Sequence, residues 1–313
     1  MAQQKSKIKK ILVTGSNGQL GKAIKFYYKT NNKYSIYFKN KNQLNISNSK
    51  KLDHFVSKNN IKIIINLAAF TNVDKAEIEI KKAYLINSKS TQILSNIANK
   101  YDAILIHFST DYVFEGKGNN SYKEDHITKP ISIYGKSKLD GEKKIINICK
   151  KFIIIRIAWL YGPFGNNFFT KVITKYFDKK KYEMISNQFS YPASSLQLAK
   201  DILKIINLLI KNPNEKKYYG IFHYGPYQHK ITRFDFVNKL SNILLKYKKE
   251  ILIDKSMIIN KFVKLSKNIK SDIRPSNSML NNNKFFKTFK LKKYTFKNNL
   301  ELSISLYINK ILK

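Results

Sequence analysis

The sequence predicts an α/β protein built on a doubly wound parallel sheet. Three observations carry this. Short β-branched runs alternate with longer helical patterns through the first half of the chain. Several of those runs are almost continuously apolar, as strands buried on both faces are. A glycine-rich turn follows the first run directly.

The strands are expected at KKILVTG (9–15), YSIYF (34–38), KIIINLA (62–68), AILIHFS (103–109) and FIIIRIA (152–158). Helices are expected between them, near 18–30, 48–59, 75–100 and 132–150. Such βαβ alternation favours right-handed crossovers and a parallel sheet. The second half is more mixed. It predicts helices near 166–179, 194–211, 232–247 and 296–311, with short strands near 183–187 and 220–224. No internal repeat and no long Gly/Ser- or Pro-rich linker divides the 313 residues.

Composition narrows the class. Hydrophobic residues make up 43%, with 20 Phe and 20 Tyr, enough to fill a core. The formal charge is +39. The lysines are spread over almost every segment, and Asn and Ile, which share AT-rich codons with Lys, are abundant too. A solvated basic surface is the reading, with no nucleic-acid partner. The single cysteine, Cys149, allows no internal disulfide and fits a reducing cytoplasm. The apolar runs are too short or interrupted to cross a bilayer, so no membrane is expected.

The turn after the first strand, TGSNGQLG (14–21), places Gly15, Gly18 and Gly21 before a helix. Glycine there lets the chain turn sharply and backbone N–H groups approach a pyrophosphate. The helix N-terminus adds its positive dipole end. Within a βαβ unit this spacing, G-x-x-G-x-x-G, points to a dinucleotide. The second strand runs into Lys39, Asn40 and Lys41 with no carboxylate, which suits the 2′-phosphate of NADP better than the 2′-hydroxyl of NAD. Asn45 lies within reach of an adenine. Ala68 and Ala69, at the end of the third strand, are small enough for a cofactor to lie over them.

The fourth strand ends in Ser109, Thr110 and Asp111. Tyr134 follows, with Lys138 one helical turn on, so the two share a face. A phenol has a pKa of about 10. A nearby ammonium stabilises the phenolate and makes a better general acid. A threonine hydroxyl can donate to the same developing oxyanion. Alone, such a pair reads as a solvated helix face. The order of glycine loop, small third-strand end, Ser-Thr and then the pair suggests carbonyl reduction.

Eight pieces, in order along nearly the whole chain, resemble the extended short-chain dehydrogenase/reductase superfamily: TGSNGQLG (14–21), NLAAFTNVDKAE (66–77), INSKST (86–91), IHFSTDYVFEG (106–116), P-x-x-x-YGKSKLDGE (130–142), RIAWLYGPFGNNF (156–168), NQFSYP (187–192) and DIRPSNSMLN (272–281). The resemblance implies a Rossmann-type doubly wound sheet with a smaller mixed α/β C-terminal substrate-binding region. It places residues 1–160, with about 188–212, in the NADP(H)-binding part and about 161–187 and 213–313 in the substrate-binding part.

It implies Thr110, Tyr134 and Lys138 as the catalytic trio. For the cofactor it implies Gly15, Asn17, Gly18, Gln19, Leu20, Gly21, Asn40, Lys41, Asn45, Ile46, Leu67, Ala68, Ala69 and Thr71, with Tyr134 and Lys138. For the substrate it implies Thr71, Val73, Thr110, Asp111, Tyr134, Trp159, Asn167 and Arg274. Trp159 would give a flat platform for a sugar ring, and Arg274 would meet a diphosphate or pair with a carboxylate. Asn45 stands where the family has an aspartate. The activity implied is NADPH-dependent reduction of a 4-keto sugar carried on dTDP, with NADH as the alternative cofactor and no metal. A homodimer and a cytoplasmic location go with it. A nucleotide-binding regulatory subunit, or a reductase or epimerase of another nucleotide sugar, are the alternatives.

Overall fold

The computed structural model describes residues 9–28, 34–177, 182–185, 187–227, 230–244, 246, 258–261 and 274–311. Six parallel strands form the central sheet: β1 (Lys10–Thr14), β2 (Ser35–Lys39), β3 (Ile61–Asn66), β4 (Ile104–Thr110), β5 (Phe152–Ile157) and the strand Gly220–Tyr224. Their order is β2-β1-β3-β4-β5 and then Gly220–Tyr224. The order reverses between β1 and β3, and open α/β sheets bind ligands at the carboxyl ends of strands at such a switch point. All six strands were legible in the sequence, the sixth as the short strand expected near 220–224. The sixth belongs to the segment from 213 onward that was expected in the substrate-binding part; it pairs with β5 from Ile153↔Gly220 to Ile157↔Tyr224 and so completes the sheet.

The strands are apolar on both faces because both faces are covered. Ile11 and Val13 point into one core and Leu12 into the other. In β5, Ile153, Ile155 and Ile157 face the first core and Ile154 the second. The first face is covered by α1 (Gln19–Tyr28) and the helix Ser195–Lys211, which buries Leu198, Ile202, Ile205 and Leu209 at helical spacing. The second is covered by α2 (Ser49–Lys58), α5 (Ser90–Lys100) and α6 (Ile133–Ile148), with α3 (Val73–Ile78) and α4 (Ile80–Tyr84) preceding α5 in the chain. Each fully buried Ile or Leu contributes about 1.5–3 kcal/mol. A third core, around Phe169, Phe236, Leu240 and Leu300, lies among the helices Phe168–Phe177, Arg233–Leu244 and Phe296–Ile311.

The helix expected over 75–100 is divided. It forms as Val73–Ile78, Ile80–Tyr84, a π turn at Leu85–Lys89, and Ser90–Lys100. The turn has a tertiary cause. Buried Asn87 bridges to the end of β3, donating to Phe70 O (3.0 Å) and accepting from Phe70 N–H (2.8 Å). It also donates to Ser137 Oγ on α6 (3.0 Å). Single-turn π insertions of this kind occur often at functional sites. In the second half, the short strand expected near 183–187 forms at Tyr182–Ile185, and residue 186 lies outside the described residues.

Candidate active site

The glycine loop closes against β3. Gly15 has φ +64°, and a Cβ there would stand 2.6 Å from Ala68 N and 2.7 Å from Leu67 C. Gly21 packs on the same loop, where a Cβ would meet Ser16 O at 2.5 Å. Asn17 and Gly18 are exposed at the start of α1. Gln19 Nε2 is buried with no hydrogen-bond partner. A tight turn, a ten-residue helix pointing its N-terminus outward and an unsatisfied amide donor fit an anionic pyrophosphate. The side chain of Leu20 belongs to the core under this turn.

Not every expected cofactor contact is presented by a side chain. Ile46 is buried against Leu44, Leu52 and Val56, so its side chain belongs to the core. Asn40 Oδ1 accepts from Asn42 N (3.0 Å) and Gln43 N (3.1 Å), and Asn45 Oδ1 accepts from Ser47 N (3.0 Å). Both oxygens therefore shape the loop after β2. Lys41 is exposed at that loop. Leu67, Ala68 and Ala69 are half-buried where β3 emerges. Thr71 is exposed and Val73 half-buried at the next helix start, which Asn72 caps by accepting from Lys75 N (3.0 Å).

The three residues expected to be catalytic, Thr110, Tyr134 and Lys138, meet where β4 ends. Ser132 caps α6 by accepting from Gly135 N (3.1 Å). Gly135 lets the helix press onto the turn after β4, since a Cβ there would lie 2.2 Å from Tyr112 O. Gly141 does the same against Asn87 O, also at 2.2 Å. Tyr134 is thereby held edge-on to Tyr112, ring centroids 5.4 Å apart, with its hydroxyl beside Thr110. Thr110 Oγ1 donates to Asp111 Oδ1 (3.0 Å).

The electrostatics correct one expectation. Lys138 was expected to lower the Tyr134 pKa. Instead burial pushes the phenol well above its ordinary value, Asp111 adds to this, and only the Thr110 hydroxyl opposes it. Lys138 is itself buried, which lowers its ammonium to about 8 against the favourable charge of Glu142. Its Nζ donates to Phe108 O (2.7 Å) and lies 3.1 Å from His107 Nε2. Desolvation thus dominates both groups. Asp111 is raised to about 6 by burial, with the Ser278 and Thr110 hydroxyls and the Arg233 charge holding it lower than burial alone would.

The remaining expected substrate residues have other partners. Trp159 sits at the end of β5 at φ +43°, a conformation that L side chains other than Asn and Asp seldom take. The Arg233 guanidinium lies 4.5 Å from its ring centroid and 4.9 Å from that of Phe168. One face of the expected sugar platform therefore carries a cation. Asn167 organises its own loop: Nδ2 donates to Gly162 O and Phe164 O, both at 3.0 Å, and Oδ1 accepts from Thr170 N (3.3 Å). Arg274 NH2 contacts both carboxylate oxygens of Asp74 at 2.8 Å, the carboxylate alternative of the two expected. Sequence reasoning missed His107, Asn66, Asn87 and Arg233. A histidine inside the apolar run AILIHFS, and an asparagine closing KIIIN, were the available signals for the first two. No signal marked Arg233.

Among the described residues no cluster of three or more His, Cys, Asp or Glu side chains could hold a metal, and no helix is long and apolar enough to span a membrane.

Comparison with known proteins supports the fold. The RmlD substrate binding domain family matches residues 9–308. The dTDP-4-dehydrorhamnose reductase of Aggregatibacter actinomycetemcomitans is 33% identical over 215 residues, 69% of this chain and 72% of that protein. The crystal structure of a dTDP-4-dehydrorhamnose reductase from Clostridium acetobutylicum superimposes with TM-score 0.82 at 29% identity, over 95% of this chain and 99% of that one. That of the Bacillus anthracis dTDP-4-dehydrorhamnose reductase, in complex with NADP, does so with TM-score 0.81 at 28% identity, over 96% and 100%. With a family match across nearly its whole length and these relatives beside it, the chain belongs to the RmlD family of dTDP-4-dehydrorhamnose reductases, which are oxidoreductases.

Proposed function

We propose that this protein reduces dTDP-4-dehydro-β-L-rhamnose to dTDP-L-rhamnose with NADPH, the last step of dTDP-rhamnose biosynthesis. The observation that carries the reading is the meeting of Thr110 and Tyr134 at the end of β4, with Lys138 one helical turn from Tyr134 and bonded to Phe108 O. Bound NADPH supplies the hydride for C4 of the sugar. Tyr134 donates its phenolic proton to the C4 oxygen, so the ketone becomes an alcohol. A phenol raised by burial stays protonated at neutral pH, the form a general acid for reduction needs. Thr110 turns its hydroxyl from Asp111 to the same oxygen and stabilises the developing charge. Gly15 to Gly21 hold the pyrophosphate, and Lys138 holds the nicotinamide ribose. Arg274, near Tyr112 and the site, exchanges Asp74 for the sugar-nucleotide diphosphate.

The same reading places the protein in the cytoplasm, acting as a homodimer. The regulatory-subunit alternative is disfavoured because all three reacting side chains are present. Following NADPH oxidation by absorbance with the dTDP-4-keto sugar is the test. Steady turnover with that sugar supports the reading. No turnover with it, but turnover with another 4-keto nucleotide sugar, moves the chain to a sister activity. No turnover with any, together with co-purification of a larger synthase, makes it a regulatory subunit.

A further inference from the structure

Behind the reacting residues runs a chain of buried polar side chains from three adjacent strands to the helix α6. Thr14 on β1, Asn66 on β3, His107 on β4 and Lys138 are each 2% exposed or less. Thr14 Oγ1 donates to Asn66 Oδ1 (2.8 Å). Asn66 Nδ2 lies 3.0 Å from His107 Nδ1, and His107 Nε2 lies 3.1 Å from Lys138 Nζ.

One fixed donor sets the direction of this chain. The backbone N–H of Ala68 points at Asn66 Oδ1 (3.3 Å). A backbone N–H can only donate, so the amide oxygen faces Ala68 and the amide nitrogen faces His107. His107 Nδ1 must then accept, which puts the proton of the neutral imidazole on Nε2, facing Lys138. A neutral amine can accept it. An ammonium cannot, because it has three hydrogens and no lone pair. For a charged Lys138 the chain has to reverse: Asn66 turns over, His107 donates through Nδ1, and Nε2 accepts from Nζ. Ala68 N–H then faces the amide NH2 and loses its partner.

We infer that His107 is a positioning residue for Lys138, and that this anchored chain makes each protonation state of the lysine select one tautomer of the histidine. Phe108 O fixes where Nζ sits, and His107 decides how readily it holds the third proton. Glu142, one turn on, favours the ammonium but is bound to Arg156 of β5 through Nε–Oε1 (3.1 Å) and NH2–Oε2 (2.7 Å). The other titratable groups on elements packed against α6 face elsewhere. Glu77 accepts from Ile133 N–H, Asp140 from Ser88, and Asp111 from Thr110. Lys81, Lys82, Lys89 and Lys100 are exposed. Tyr112 and Tyr134 pack edge to face against each other. The ordering of the two states is consistent with a lysine already lowered by burial.

The chain's first arm rests on no activity. In the ligand-free protein labelled with 15N-histidine, the His107 signal, assigned by its loss in His107→Gln, is followed against pH. The expected result is a neutral imidazole that changes from the Nδ1–H to the Nε2–H tautomer as Lys138 loses its proton. One tautomer across the whole range, or simple protonation of the ring, overturns the inference. The second arm rests on the proposed reductase activity. Gln at position 107 offers Lys138 an oxygen that accepts from the ammonium without any tautomer. The basic limb of kcat/KM should move up by about one pH unit, the worth of one hydrogen bond to a charged group. A lower kcat with the limb unmoved would mark a merely structural histidine and overturn the inference. Absence of turnover with every nucleotide sugar would fell the reductase reading, and the tautomer measurement would then decide alone.

Discussion

Gly15 and Ala68 meet backbone to backbone: a Cβ on residue 15 would stand 2.6 Å from the Ala68 nitrogen, in a residue already at φ +64°. The glycine turn after β1 and the segment leaving β3 are thus one packed unit. Gly15→Ala adds both the clash and the strain of a left-handed alanine. Stability should fall by about 1–3 kcal/mol, and NADPH affinity should fall with it. Chemical denaturation and quenching of intrinsic fluorescence by NADPH measure the two; an alanine variant with native affinity would contradict this packing.

Tyr134→Phe removes the proposed acid and keeps the ring against Tyr112. The rate constant kcat should drop by about 10²–10⁴-fold, with little change in the dissociation constant for NADPH. Stopped-flow and steady-state assays separate the two effects. Retained turnover would move the acid to another residue.

Arg274 and Asp74 are both substantially exposed, at 31% and 48% of side-chain surface, so their ion pair adds less than about 1 kcal/mol. Arg274→Ala should leave the melting temperature nearly unchanged while raising KM for the nucleotide sugar. An unchanged KM would show that the guanidinium stays on Asp74 throughout turnover.

Glu142 and Arg156 are a different case, because both are almost wholly buried, at 1% and 3%. His223, whose Nε2 is 3.4 Å from Arg156 NH1, is lowered to about 3 by burial and by that same charge, so it stays neutral and cannot replace the carboxylate. Glu142→Gln leaves a buried guanidinium short of its counter-ion. A loss of about 3–5 kcal/mol is expected in urea unfolding, against which a loss below one would speak.

Asp201 lies on the buried face of the helix Ser195–Lys211, accepting from Tyr224 Oη (2.8 Å) and Gln197 Nε2 (3.0 Å). Burial raises it to about 6 despite these donors. An unfolded aspartate titrates near about 3.9. Between those values the folded state keeps a proton that the unfolded state has lost, so stability falls as pH rises through that window and is flat above it. Asp111 contributes in the same sense. Asp201→Asn should flatten part of this slope and raise stability at neutral pH, as melting curves across pH 4 to 8 (a range chosen to bracket about 6) would register.

Much of the fold was legible because its periods are local. The five β-branched runs, the glycine turn and the Tyr134–Lys138 spacing on one helix each follow from steric rules that act within a few residues. The division of the 75–100 helix was not, because Asn87 breaks the ladder only in order to bond Phe70 and Ser137. Nor could spacing show that Asn167, Asn40 and Asn45 serve their own loops.

The sequence by itself determined the order of elements, the place of the glycine turn and the pairing of Tyr134 with Lys138 on one helix. Tertiary structure alone decided their electrostatics. Arg274 finds Asp74 200 residues away, Arg233 covers Trp159, and Lys138 reaches from its helix to His107 on β4. The reason is desolvation. How far a charge is shifted, and which distant partner it takes, depends on how much water the folded chain removes around it, and no pattern along the chain records that quantity.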